Sequence, residues 1–224
     1  MNDCPLPHCR SAAQELYRLR RFSVRRCRSC AIMFRDPPPS MEESVQRHDD
    51  GRYHQSRYFS GQWQEQASGP ETSIYAAALD RLLPLRGRSG EDRKLLDVGC
   101  GTGLFMEMAA SRGWNVHGIE LSPSLAEMAR DRRDLSVSTG EFLEVATADQ
   151  SYDLITMWDL LEHVGRPQAV VERAAELLKP DGRLLVFTID ASSLFNMLAH
   201  GLHTLTAGRL SAPLELLYDA RHSF

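Results

Sequence analysis

From Arg93 to Ile189 the chain alternates two kinds of pattern. Short, nearly unbroken apolar runs end in glycine or an acid. Between them lie longer stretches whose apolar residues recur every three or four positions. The runs predict strands near 93–99, 115–120, 135–138, 152–158 and 182–190; the stretches predict helices near 103–112, 123–133 and 167–179. Unbroken apolar strands are covered on both faces, and strands separated by helices must run parallel. The fold class is therefore α/β: a doubly wound, mainly parallel sheet. Ahead of it, Ile74, Ala77, Ala78, Leu82 and Leu85 predict a helix over 71–85. Behind it, 192–206 reads as a helix rich in Leu, Met and His, followed by a turn-like segment to Pro213 and the short run Leu214–Tyr218.

The first 35 residues do not fit that alternation. They hold four of the five cysteines and many arginines, with few acids. Pro37-Pro38-Pro39-Ser40 predicts an extended segment. Residues 41–70 are polar and read as a connector with a short helix near Met41–His48. With 224 residues and 42% hydrophobic content, the chain can bury one good core plus a small appendage. A net charge of −4 and a pI near 6.1 argue against a general binder of nucleic acid or of membrane surfaces. No apolar run is long enough to span a bilayer, and the N-terminus has no signal-peptide core. These features predict a cytoplasmic protein with reduced cysteines. Lys94 and Lys179 are the only lysines, so arginine is the default cation and is not read as a contact at each occurrence.

Candidate chemistry begins at Asp97-Val98-Gly99-Cys100-Gly101-Thr102-Gly103, where a strand turns into a helix. Glycines there allow positive φ and a close ligand approach, and the turn aims free N–H groups at what binds. The next predicted strand ends in Glu120, an acid at the neighbouring tip that can take both hydroxyls of a ribose. The spacing is G-x-G-x-G, not the dinucleotide G-x-G-x-x-G. A phosphate gains nothing from Asp97, whereas a ligand with ammonium and sulfonium charges does; the other reading of Asp97 is a helix or turn cap. The stretch resembles motif I of the class I S-adenosylmethionine-dependent methyltransferases. Ser151 to Val164, with its "LEHV" block, and Leu177 to Val186, with its "LKPDG" turn, resemble the fourth and fifth strands of that fold.

The resemblance implies a Rossmann-like methyltransferase sheet over 71–224 and S-adenosylmethionine as cofactor. Asp97, Gly99, Cys100, Gly101 and Gly103 would line the methionine part, Cys100 as a small buried residue and not a nucleophile. Glu120 would hold the ribose, Leu121, Glu141 and Phe142 the adenine, and Trp158 the cofactor beside the acceptor. Asp159 would sit at the tip of the fourth strand. His163 is the first candidate for a general base; the other reading is a structural bond within the loop. His222 is the second candidate, while His200 and His203 would lie on a lid-like helix. Tyr53, Tyr58 and Trp63 would either cover the cofactor or simply pack. Relatives of this kind continue into a further helix and an antiparallel strand pair, so the C-terminal strand pair is expected to be missing and the fifth strand's edge exposed. That edge, or the apolar face of the 192–206 helix, would make a homodimer contact.

Cys4-x4-Cys9 and Cys27-x2-Cys30 form two pairs, the second with knuckle spacing. They resemble a Cys4 zinc ribbon, with zinc in a closed structural site. The inserted Pro7-His8 leaves the fourth ligand open between Cys9 and His8; the alternative is a set of unrelated buried thiols. The resulting division is a zinc-ribbon-like module over 1–36, a connector over 37–70 and the cofactor-binding domain over 71–224. Many methyltransferases that resemble this chain carry such a ribbon. Several groups act on sugar nucleotides or other small biosynthetic intermediates, and one acts on ribosomal RNA. Three functions follow: methyl transfer to a small-molecule acceptor, methyl transfer to RNA gripped by the ribbon's arginines, and a non-catalytic scaffold. The arginines' other reading is a solvated basic face.

Overall fold

The computed structural model describes residues 4–9, 11–19, 22–38, 70–82, 93–145, 151–190 and 193–217. The Met41–His48 helix, Tyr53, Tyr58, Trp63, Leu85 and His222 lie outside them. Among the described residues, no helix is long and apolar enough to cross a membrane. The chain forms two compact units. One holds the described residues of 45–158 and 169–186, the other those of 1–44, 159–168 and 187–224.

The first unit is built on strands β4 (Lys94–Val98), β5 (Asn115–Glu120), β6 (Val137–Thr139), β7 (Tyr152–Trp158) and β8 (Leu178–Phe187), in the order β6-β5-β4-β7-β8. The pairs β4–β5, β4–β7 and β5–β6 are parallel. The chain moves outward from β4 to β6 and then returns to β4's other side with β7. Such a reversal opens a crevice at the strands' carboxyl ends, and β4 carries the glycine turn at that place. Leu95, Leu96 and Val98 of β4 and Leu154, Ile155 and Met157 of β7 are buried, as runs covered on both faces must be. Among the described residues, four helices accompany the sheet: α1 (Pro70–Leu82), α2 (Leu104–Ala110), α3 (Pro123–Arg133) and α4 (Pro167–Leu177). Leu79 of α1 and Phe105 and Ala109 of α2 pack with Leu95, Trp114 and Leu154.

α3 keeps its predicted limits because its ends are marked. The Ser122 side chain accepts the Leu125 N–H at 3.3 Å, Pro123 opens the first turn, and Asp134 closes the helix in the left-handed region. Ser122→Ala is expected to cost about 1 kcal/mol, read as a lower urea midpoint. The α4–β8 boundary departs from the expected one. The helix stops at Leu177 and the strand starts at Leu178, four residues earlier than the "LKPDG" turn suggests. Pro180 disfavours helix at Lys179. The Lys179 ammonium pairs at 2.7 Å with the buried Asp153 carboxylate, which also accepts the Lys94 N–H at 2.9 Å, and Ser151 N–H donates to the Leu177 carbonyl. These ties draw 178–180 alongside β7. β8 is an outer strand of the sheet, with Val186 and Phe187 exposed.

The second unit contains an antiparallel sheet, β1 (Ala13–Arg18), β2 (Ser23–Cys27) and β3 (Met33–Asp36), with helices α5 (Leu194–Leu205) and α6 (Ala212–Leu217). Leu19, Phe22 and Val24 share one buried cluster with Ala199 of α5 and Leu214 of α6, and Tyr17 packs on it. The Tyr17 ring lies 4.9 Å from that of His200 and 5.0 Å from that of His203. Chain order and packing therefore differ. The helices after β8 follow the sheet in sequence but share a core with the N-terminal module.

Candidate functional site

The turn after β4 is stitched to β5. Gly99 and Cys100 N–H donate to the Ile119 carbonyl at 2.8 and 3.2 Å. Gly99, Gly101 and Gly103 all have positive φ (73°, 54° and 82°), which side-chain-bearing residues rarely adopt. Among the described residues, a Cβ on Gly101 would meet nothing within 4 Å, so this glycine fronts open space there. Gly118, opposite Asp97 on β5, serves close packing instead: a Cβ there would lie 2.6 Å from Cys100 Sγ and 2.7 Å from Met106 Sδ. Cys100 is buried, and burial pushes its thiol far above the range in which a thiolate forms.

Two buried carboxylates flank the turn. Glu120, at the tip of β5, accepts the Gly101 N–H on Oε2 at 2.8 Å and the Ser122 N–H on Oε1 at 2.9 Å. Asp97 accepts the Thr156 hydroxyl at 2.6 Å from its register partner on β7. Burial pushes the Asp97 carboxyl up to about 7; the Thr156 hydroxyl opposes that shift and the Glu120 charge adds to it. Carboxylates held out of water next to each other favour a positively charged neighbour. The Gly101 opening and this pair of carboxylate acceptors fit a cationic nucleoside with a ribose.

The remaining cofactor candidates of this unit lie at adjacent strand ends. Leu121 follows Glu120 directly. Gly140 N–H donates to the Glu120 carbonyl at 2.9 Å, which brings the Glu141–Phe142 turn to the β5 tip, with Phe142 buried. Trp158 ends β7, its ring 4.5 Å from that of Tyr75 and 5.0 Å from that of Phe105. Sequence reasoning missed Thr156, Gly118, Ser122 and Tyr75. Thr156 gave one signal, as a hydroxyl inside an otherwise apolar run.

Asp159 and His163 belong to the other unit. Asp159 has φ +47° and donates its N–H to the Phe187 carbonyl at 2.8 Å. His163 is half-buried in a turn closed by its N–H to the Leu160 carbonyl. Its neighbour Glu162 is buried and accepts the Thr188 hydroxyl at 2.9 Å. In the same unit Cys4, Cys9, Cys27 and Cys30 bring their sulfurs within 4.8 Å of one another. Cys9, not His8, completes this quartet. Cys4–Cys30 and Cys9–Cys27 are 3.7 and 3.4 Å apart, near the edge of about 3.8 Å that a tetrahedron with Zn–S bonds of about 2.3 Å requires. Ser29 and Cys30 N–H point at Cys27 Sγ, as in a metal knuckle. N–H groups at Ser11 and Cys30 pull the Cys9 and Cys27 thiols down, Cys9 to about 6, while burial pushes Cys4 up to about 12.

The family model described as a methyltransferase domain matches residues 64–216. The chain is 34% identical over 142 residues to the ubiquinone biosynthesis O-methyltransferase of Coxiella burnetii, an overlap of 56% of this chain and 58% of that protein. It is 36% identical over 155 residues to the protein of the same name from Xylella fastidiosa, covering 63% and 60%. The chain thus spans less than two thirds of the length of these relatives. Among solved structures, phosphoethanolamine N-methyltransferase 2 of Haemonchus contortus in complex with S-adenosyl-L-methionine superposes with a TM-score of 0.56 at 20% identity, covering 84% of this chain and 45% of that one. That likeness is one of fold.

Proposed function

Because the chain belongs to the methyltransferase-domain family, we propose that it transfers a methyl group from S-adenosylmethionine to a small-molecule acceptor. The observation that carries this reading is the pair of buried carboxylates, Asp97 and Glu120, on either side of a glycine turn that opens at Gly101. When bound, the cofactor supplies a methyl group already made electrophilic by its sulfonium. The chain's part is to seat it and to position the acceptor in line with that methyl. Gly101 keeps a side chain out of its path, Gly99 and Gly103 give the turn its left-handed backbone course, Gly103 with its Cβ position closed by Leu135, and Cys100 contributes backbone. Glu120 receives the ribose hydroxyls, and Asp97 supplies negative charge. Leu121, Glu141 and Phe142 border the adenine, and Trp158 faces the reacting end. His163 takes the acceptor's proton, with Asp159 as a polar group near the acceptor and His222 as the second candidate base.

The O-methyltransferase relatives favour a hydroxyl on a biosynthetic intermediate as the acceptor. Within the ribbon, Arg18 pairs with Glu15 and Arg25 with Asp36, which weakens the case for a phosphate-gripping face. The four sulfurs would hold a structural zinc with no open position, and the protein would work in the cytoplasm, where those thiols stay reduced. Incubation of the protein and methyl-labelled cofactor with fractionated cell extract tests the acceptor class. Label is expected in the small-molecule fraction; label confined to RNA would overturn the assignment.

A second test reads the Asp97 charge. Its folded pKa is raised, so the neutral form is preferred without ligand, and the unliganded protein loses stability as pH rises toward about 7. A cationic cofactor needs the ionised form. Calorimetry with S-adenosylmethionine should therefore show affinity greatest between pH 7 and the titration of the cofactor's own α-ammonium at about 8, and falling by up to about tenfold per unit below pH 7. Asp97→Asn should bind weakly with no such slope. A wild-type affinity independent of pH between 5 and 8 would remove Asp97 from the charge balance.

A further inference from the structure

We propose that the outward face of α5 is the surface through which two copies of this chain pair. Helix α5 has an inner and an outer face. The inner one is already occupied, with Ala199 in the ribbon's core and His200 and His203 against Tyr17. The outer one carries Leu194, Met197, Leu198, Leu202 and Leu205, each between 41% and 86% exposed. With Gly201 these positions fall at i, i+3, i+4, i+7, i+8 and i+11, one continuous stripe along the helix. Exposed apolar side chains gathered in one contiguous stripe, unlike ones scattered singly, point to an interaction surface.

The chemistry of the stripe selects its occupant. Residues 191–208 contain no Asp, Glu, Lys or Arg. A helix lying on a membrane surface carries Lys and Arg along its polar edge, and a charged partner needs a counter-charge to recognise; α5 offers neither. An uncharged face is complementary to itself, and a two-fold axis lets one patch serve both sides without burying a charge. Gly201 adds a second, independent indication. Glycine weakens a helix interior. Gly201 is not among the residues with positive φ, and a Cβ there would meet nothing within 4 Å. Among the described residues, neither the backbone nor packing calls for it. It does permit a close crossing by another helix. An antiparallel crossing centred on Gly201 sets Met197 of each copy, one turn before the glycine, against Leu205 of the other, one turn after it.

Sedimentation velocity of the full chain over a concentration series tests this. The mass is expected to rise from 25.2 kDa to twice that value and stop there. Leu198→Glu combined with Leu205→Glu should raise the dimer dissociation constant by roughly 100-fold or more while leaving the circular dichroism spectrum unchanged. Gly201→Leu separates a close crossing from unspecific adhesion: the first is weakened by the added bulk, the second strengthened by the added apolar surface. A mass of 25.2 kDa at every concentration overturns the proposal. So does a dimer indifferent to both variants, growth of the mass beyond the dimer, tightening by Gly201→Leu, or a monomer that instead floats with phosphatidylcholine vesicles.

Discussion

Stripping metal from the protein, or replacing Cys27 with serine, is expected to unfold the ribbon and release α5 and α6 with it. The module offers a small core of Leu19, Phe22 and Val24 closed by Ala199 and Leu214. A sheet that small does not bury enough apolar surface to offset its own ordering entropy. Without metal the cluster also works against itself. Four sulfurs lie within 4.8 Å, and each further thiolate is added against the charge of the others. A zinc ion removes that conflict by keeping all four deprotonated, at an apparent gain of about 10–16 kcal/mol. Cys27 is the cysteine to change first, because its sulfur also receives the Ser29 and Cys30 N–H groups. Plasma emission should find about one zinc per chain. After chelation, hydrogen exchange should lose protection over 13–36 and, through the shared core, over 194–205. The sheet's own core of Leu79, Leu95, Phe105 and Leu154 contains none of these residues, and its protection should persist. A metal-free protein with 13–36 still fully protected would rule the zinc site out.

That coupling between the chain's two ends was not legible in the sequence. The apolar pattern of 192–206 announces a helix, but it carries apolar residues on two faces, and periodicity alone does not say which face finds the ribbon. The sheet was more legible because its signals are local: unbroken runs at Leu95–Val98 and Leu154–Met157, glycines at the β4 turn, and an acid at the end of β5. Long-range features escaped. The bond between Thr156 and Asp97 depends on β7 lying beside β4 in one register, although 59 residues separate the two in the chain. Gly118 reads as an ordinary strand glycine until the turn is seen resting its Cys100 on it. Cys9 and His8 were equivalent as spacing; the loop's own bonds, Cys9 N–H to the Leu6 carbonyl and Cys4 N–H to the Ser11 carbonyl, accompany the geometry that brings Cys9 into the quartet. The family resemblance places a turn at "LKPDG", and the ion pair of Lys179 with Asp153, distant in the chain, overrides it.

Glu120→Ala is expected to lower the affinity for S-adenosylmethionine by about 100-fold or more, since two hydrogen bonds to a charged acceptor are lost at about 1.5–3 kcal/mol each. The same carboxylate holds the Gly101 and Ser122 N–H groups, so the variant also loosens the loop it belongs to. A fall in affinity alone would not distinguish a missing ribose seat from a slack glycine turn. The melting midpoint of the unliganded variant gives the loop's share, at about 2–4 °C per kcal/mol for a chain of this size. The ribose's share comes from the ligand side. S-adenosylhomocysteine lacking the ribose 2′-hydroxyl should bind the wild type at least about tenfold more weakly than the intact compound, the worth of one charged hydrogen bond. Against Glu120→Ala the two compounds should bind alike, because the acceptor is already gone. The coupling between the two deletions isolates the contact from the loop. Equal losses in wild type and variant would show that the hydroxyl is held elsewhere, leaving Glu120 a purely structural anchor of the turn.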